Sequence, residues 1–235
     1  MSAIDVAILL VLAITILGGY YRGFVSTALS ILATIVSWLA GRLLVPLMSG
    51  LIKGNEKLFN MMTYYTEGSE YVAITDVELT RTPISGISAD TLHTVIENAE
   101  MPRPMGDFIK RNIATEAFAG DGITTLGDYF NQTIVCAVIN ILSVLLVFIV
   151  LRVLLGLVIN GVSYGRGGYP VLAHADGPIG AGLGLVNGVL LLFVVCTVIP
   201  ILLTVLPALY EYLSESFFGE FFYKANPFIA LIPSV

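Results

Sequence analysis

The sequence predicts an all-α integral membrane protein with four transmembrane helices, plus short amphipathic helices in an acidic loop and a C-terminal tail. Three observations carry this reading. Of the 235 residues, 57% are hydrophobic and 12% charged, which is more apolar surface than one soluble core of that length holds. The excess is concentrated in residues 4–21, 24–48, 133–158 and 179–206, each near or above the ~20 apolar residues that cross a ~30 Å bilayer core. Between the second and third stretches lies a polar insertion, residues 51–130, which holds most of the acids.

Taken in order, the first stretch lacks the basic leader and small-residue cleavage site of a signal peptide and is expected to remain as a span. Asp5 near its start complements the helix dipole, with Ser2 as the cap. Arg22 at the other end is ~25 Å away at 1.5 Å per residue and reads as an interfacial anchor. In the insertion, Leu58, Met61, Met62 and Tyr65, and again Leu92, Val95, Ile96 and Ala99, recur at helical spacing. Asp90 is the expected cap of the second of these helices. Pro104 opens a third with Phe108, Ile109 and Ile113 on one face, and residues 81–86 read as loop. These helices are expected to pack on the spans or lie on the lipid surface. Pro207 should end the fourth span. The tail, residues 207–235, sets Leu209, Leu213, Phe217 and Phe221 among Glu211, Glu215 and Glu220, as an interfacial helix does. The whole chain, residues 1–235, reads as a single membrane domain.

The fourth span opens with Asp176 and then carries Gly180, Gly184 and Gly188, one glycine per turn along one ridge. Such a ridge lets another helix approach closely. Asn140 and Asn187 are the strongest uncharged polar groups within the spans. If spans three and four run antiparallel, these amides reach similar depths, and a hydrogen bond between them is expected.

Other functions find little support. The net charge of -6 speaks against nucleic acid as a partner. No span carries an ionisable residue near its middle, which argues against a proton or ion pump. His93 and His174 have no His or Cys at ligand spacing, and Cys136 and Cys196 read as buried small hydrophobes, so neither a metal nor another cofactor is expected. Neither a nucleophile elbow, a zinc-protease motif nor a phosphate loop is present, and no catalytic residue is assigned.

Asp5 followed by Gly19 and Arg22-Gly23-Phe24, and the later Asp176, Gly180, Gly184 and Gly188, together resemble the colicin V production protein family (CvpA). The resemblance covers roughly the first 45 residues and residues 132–206. Many members begin with Asn-x-x-Asp where this chain has Ser2-x-x-Asp5, and the insertion is longer than in the shortest members.

The resemblance implies a multi-pass protein of the bacterial cytoplasmic (inner) membrane, linked to toxin production and export and to envelope homeostasis, without an established catalytic activity; with no catalytic motif present, a non-enzymatic protein is expected. It also implies partners in the bilayer or envelope. A homo-oligomer is compatible with the glycine ridge. By analogy with a mycobacterial relative that carries an extracytoplasmic protease domain, the termini and acidic loop would lie outside the cytoplasm, with Arg22 and Arg166 inside. Charge alone fixes no orientation. The alternative is an oligomeric channel or transporter for a small solute, lined by Asn140, Asn187, Thr15, Thr34 and the ridge.

Overall fold

The structure, a computed structural model, describes residues 2–66, 68–99, 101–163 and 175–235, with only the backbone of Val162 and Ser163. Arg166 and His174 lie outside the described residues. Among the described residues the chain is helical throughout: α1 (Ala3–Leu43), α2 (Val45–Lys53), α3 (Glu56–Thr66), α4 (Ser69–Ala73), α5 (Ala89–Asn98), α6 (Met105–Ala114), α7 (Leu126–Ser163), α8 (Asp176–Cys196), α9 (Ile199–Val205), α10 (Leu209–Ser214), α11 (Phe217–Lys224) and α12 (Pro227–Ala230). Short 3-10 turns at Val77–Arg81 and Ile84–Gly86 occupy the expected loop, which is tied down by an isolated bridge between Pro83 and Thr125. The fold divides into two compact units. One comprises Met1–Leu44, Val144–Val198 and Ala208–Phe228; the other comprises Val45–Ser143, Ile199–Pro207 and Ile229–Val235.

Three helical stretches are long and apolar enough to cross a membrane: Ala3–Leu43, Leu126–Gly161 and Asp176–Val205. The first two expected spans both fall on α1. That helix is interrupted at Gly23, whose φ of 77° and ψ of 178° are not helical and which a side chain rarely tolerates. The contacts on either side show what the interruption does. Before it, Gly19 lies against Gly180 and Gly184, Thr15 against Gly184 and Gly188, and Leu12 against Gly188, so numbers fall on α1 as they rise on α8. After it, Phe24 meets Asp176 and Thr34 meets Asn187, and the numbers rise together. One straight helix cannot be antiparallel and then parallel to the same neighbour. The chain therefore reverses at Gly23, and α1 is a hairpin whose two arms both pack on α8.

The second arm also runs antiparallel to the end of α7, with Ser30 at Arg152, Trp38 at Phe148 and Gly41 at Val144. The buried face of this arm is Thr27, Ser30, Ala33, Thr34, Ser37, Trp38 and Gly41. Its large apolar residues point away: Leu32, Ile35, Val36, Leu39 and Leu43 are exposed, as are Leu10, Ile14 and Leu17 on the first arm. Small and hydroxylated residues inside with bulky apolar ones outside is the arrangement that lipid favours.

The second unit is built the other way. Val72, Val95, Ile109, Leu126 and Phe130 form its fully buried core, flanked by Leu79, Leu92, Ile96 and Ile113. α3, α5 and α6 occupy the places that apolar spacing predicts. One detail differs from expectation. Ser88 caps α5 by accepting from the Thr91 N–H, with Asp90 in the first turn instead. Of the two placements expected for the insertion helices, they take packing on a span, building a core with the first turns of α7. There Ile134, Val135, Cys136, Ala137, Ile139 and Ile141 are all buried.

The fourth stretch also ends its regular helix sooner than Pro207. Thr197 caps α8, its hydroxyl turned back to the Val194 carbonyl at 2.6 Å. Pro200 follows and has no N–H to continue the ladder.

Candidate functional site

The candidate site lies in the first unit, where the hairpin meets α8. A reversal between two helices leaves carbonyls at the end of one and N–H groups at the start of the next without partners. Both sets are met here. The Thr27 hydroxyl, on the second arm, donates to the Gly23 carbonyl at 2.7 Å and has the Gly19 carbonyl at 3.4 Å. At the start of the second arm, the Phe24 N–H donates to Asp176 Oδ1 at 2.7 Å. Asp176 is the first residue of α8, so one carboxylate lies at the positive ends of two helices, where negative charge is favoured. Gly23 has two reasons to be glycine: its positive φ, and the Asp176 carboxylate occupying the place of a Cβ.

From that point the ridge runs down the contact. A Cβ on Gly180 would strike the Gly19 carbonyl, one on Gly184 the Thr15 carbonyl, and one on Gly188 the Thr15 hydroxyl. Gly19 is the reciprocal position, opposed by the Gly180 backbone. The two helices thus touch through backbone, and packing is what these glycines do. Further along, the Thr34 hydroxyl, fully buried, donates to Asn187 Oδ1 at 3.1 Å.

Asp5 plays the role of Asp176 at the far end of the first arm. Its Oδ2 accepts the Ser2 N–H at 3.0 Å while Ser2 Oγ accepts the Asp5 N–H, which closes a capping box. Its Oδ1 accepts from the Ser216 hydroxyl at 2.7 Å and from the Phe218 N–H at 2.9 Å. Ser216 in turn caps α11 through the Gly219 N–H. Asp5 therefore serves the N-termini of two helices and fastens the tail helix to the start of α1. The tail is anchored again by Phe222 against Phe193 and by the Asn226 amide donating to the Phe193 carbonyl. Phe217 and Phe221 stay exposed, as an interfacial tail requires.

Of the residues singled out by sequence, Gly19, Gly23, Phe24, Asp176, Gly180, Gly184 and Gly188 meet at one contact, with Arg22 exposed beside it. Asn140 and Asn187, expected to bond to each other, each have partners within their own unit. Asn187 is taken by Thr34, whereas the Asn140 amide, in the second unit, donates to the Pro233 and Val235 carbonyls. Those carbonyls are in an irregular segment without ladder partners of its own, and the amide supplies them with a donor. Residues missed by the sequence reading are Ser216 and the pair Ser30–Arg152. Arg152 lies within α7, and its Nη2 donates to Ser30 Oγ at 2.6 Å. The signal was present in the hydroxyls at residues 27, 30, 34 and 37, which recur at helical spacing.

Apolar helices packed through glycine and hydroxyl faces, with their bulky side chains outward, define a membrane protein. Residues 4–75 match the family model described as colicin V production protein. That segment is thus similar to the colicin V production (CvpA) family, in keeping with the resemblance drawn from its motifs. The matched residues contain Asp5, Gly19 and the Gly23 bend, while Asp176 and the ridge lie beyond them. No curated protein and no solved structure matches the chain.

Proposed function

We infer that this chain is a non-enzymatic, multi-pass membrane module of the colicin V production type, acting through other membrane or envelope proteins in toxin production and export and in envelope maintenance. The observation that carries the reading is the hairpin of the matched segment, locked onto α8 by Asp176 and the glycine ridge. Its arms, residues 3–22 and 24–43, are each ~30 Å long at 1.5 Å per residue, the thickness of a bilayer core. Counted by arms, the chain has four spans: the two arms, the latter part of α7, and α8. An even number of spans puts both termini on one side. The orientation that the family analogy favours has them outside the cytoplasm with the acidic insertion, in the bacterial inner membrane.

The surfaces available to partners are the acidic insertion and the exposed aromatics of the tail. Photo-crosslinkers at Tyr65 and Phe217 in a functional tagged protein should trap specific membrane or envelope proteins, with the same bands recurring between preparations. Repeated recovery of lipid alone would reject action through partners. Cysteine substitutions at Thr82, Ser163 and Ser214, in a protein lacking Cys136 and Cys196, fix orientation. An impermeant reagent applied to intact cells should label Thr82 and Ser214 positions and spare Ser163; the reverse pattern would turn the protein over.

A further inference from the structure

In the second unit α7 turns a polar face into protein. Thr133 and Asn140, seven residues apart on that face, are fully buried, and Asn112 of α6 lies beside them, its amide donating to the Thr133 hydroxyl at 3.1 Å. Both amides are spent on one segment of the chain. Asn140 Nδ2 donates to the Pro233 carbonyl at 2.9 Å and to the Val235 carbonyl at 3.1 Å, and Asn112 Nδ2 donates to the Ser234 carbonyl between them at 3.2 Å. Successive carbonyls thus go to opposite partners, and burial alternates as well: Ile232 and Ser234 are buried, Leu231 and Val235 exposed. That is the pattern of an extended chain, held here by side chains where a sheet would hold it by backbone. The segment sits between α6 and α7 as a bound peptide sits in a receptor, its main chain gripped and alternate side chains inserted.

The fit is incomplete. Asn112 Oδ1 and Asn140 Oδ1 are both buried, and neither has a donor among the described residues; a buried polar atom left unpaired costs stability. In an extended residue the N–H and the C=O face the same way, so one side-chain amide can donate to the carbonyl and accept from the N–H. Pro233 offers Asn140 only the carbonyl, since its ring nitrogen carries no hydrogen. The hydroxyls of Tyr129 and Ser143, further along the same face of α7, are likewise buried without partners. The seat therefore carries more hydrogen-bonding capacity than its resident segment uses.

We propose that the seat between Asn112 and Asn140 binds an extended, uncharged segment of a partner polypeptide, and that residues 229–235 occupy it when the partner is absent. The partner segment carries a branched apolar side chain in place of Ile232 and a residue other than proline in place of Pro233, so that its N–H reaches Asn140 Oδ1. A second copy of this chain would bring the same proline and leave the same oxygen unmet, which disfavours it as the occupant. The proposal gives a mode of recognition to the partners inferred above and rests on that reading for their existence. Peptide capture by the purified chain is measured without them, so the two can fail separately.

The test is fluorescence anisotropy of labelled synthetic peptides with the purified full chain in detergent: a peptide of residues 228–235, the same peptide with Pro233→Ala, and one with Ile232→Asp. The Pro233→Ala peptide should bind about tenfold tighter than the unchanged one, the gain from one completed hydrogen bond, and the Ile232→Asp peptide should not bind measurably. In the chain itself, Ile232→Asp should loosen the resident segment and raise the affinity for the Pro233→Ala peptide several-fold, whereas Asn140→Ala should abolish that peptide's advantage. Absence of binding by every peptide to both the wild type and the Ile232→Asp chain overturns the site, as does an advantage that survives Asn140→Ala. Should Asn140→Ala not fold, Asn112→Ala decides: undiminished affinity for the Pro233→Ala peptide overturns the site. A wild-type dimer that the Ile232→Asp chain no longer forms would show exchange of the segment between copies and overturn the partner as its occupant.

Discussion

In the first unit helices meet through Gly19, Gly180, Gly184, Gly188, Thr27, Ser30 and Thr34, and the large side chains Leu10, Ile14 and Leu17 are 58%, 67% and 56% exposed. In the second unit Val72, Val95, Ile109, Leu126 and Phe130 are fully buried, and Asp90, Glu97 and Asp107 face outward. The first arrangement suits a solvent as apolar as leucine, where nothing is gained by hiding leucine and close backbone approach supplies the attraction. The second is the packing of a globular core, where apolar burial contributes ~25 cal/mol per Å². One chain therefore holds two kinds of packing, and they should fail in different ways.

The largest expected effect is in the first unit. Gly184→Leu drives a side chain into the Thr15 carbonyl, where neither backbone can yield without parting the helices. A cost of at least about 3 kcal/mol is expected, beyond ordinary overpacking, read as loss of a monodisperse peak in detergent. A well-behaved variant would mean the glycine contact is dispensable. Phe130→Ala tests the second unit and should cost about 3 kcal/mol by cavity formation. Its damage should be local: faster amide exchange in α5 and α6, with α8 protected as before. Equal loosening of α8 would dissolve the contrast between the two kinds of packing.

Asp176→Asn comes next. It keeps an acceptor for the Phe24 N–H and removes the charge from a half-exposed site, at a cost of about 1 kcal/mol, seen as a small drop in Tm. Gly23→Ala should be clearly worse than Asp176→Asn, because it adds a strained positive φ to the collision with the carboxylate. If the order is reversed, the bend is held by charge more than by shape. The smallest effect belongs to Asp5→Ala, which should leave the spans intact and free the tail, so that limited proteolysis cuts sooner around residues 209–216. An unchanged digestion pattern would show that Phe222 and Asn226 suffice to hold the tail.

Much of the first unit was legible in the sequence because its logic is periodic. A glycine each turn from Gly180 and a lone Arg22-Gly23-Phe24 between two apolar stretches are visible to the eye. Ser216 was not legible, since its partner Asp5 is 211 residues away and no local pattern links them. At the start of α7, Ile134–Ile141, enclosed by protein, has the composition of a segment enclosed by lipid, and composition reports only that water is absent. The pairing expected of Asn140 and Asn187 weighed only the two amides in apolar helices. A segment with free carbonyls, such as residues 233–235, and a hydroxyl such as Thr34 were equally good partners.

The reversal at Gly23 makes α1 a hairpin and not one long helix. Single cysteines in place of Ser2, Tyr21 and Leu44, in a protein lacking Cys136 and Cys196, test it through labelling by an impermeant reagent from each side of sealed membrane vesicles. The hairpin predicts that Ser2 and Leu44 positions react from the same side and the Tyr21 position from the opposite side. Reaction of Ser2 and Leu44 positions from opposite sides would contradict the reversal at Gly23.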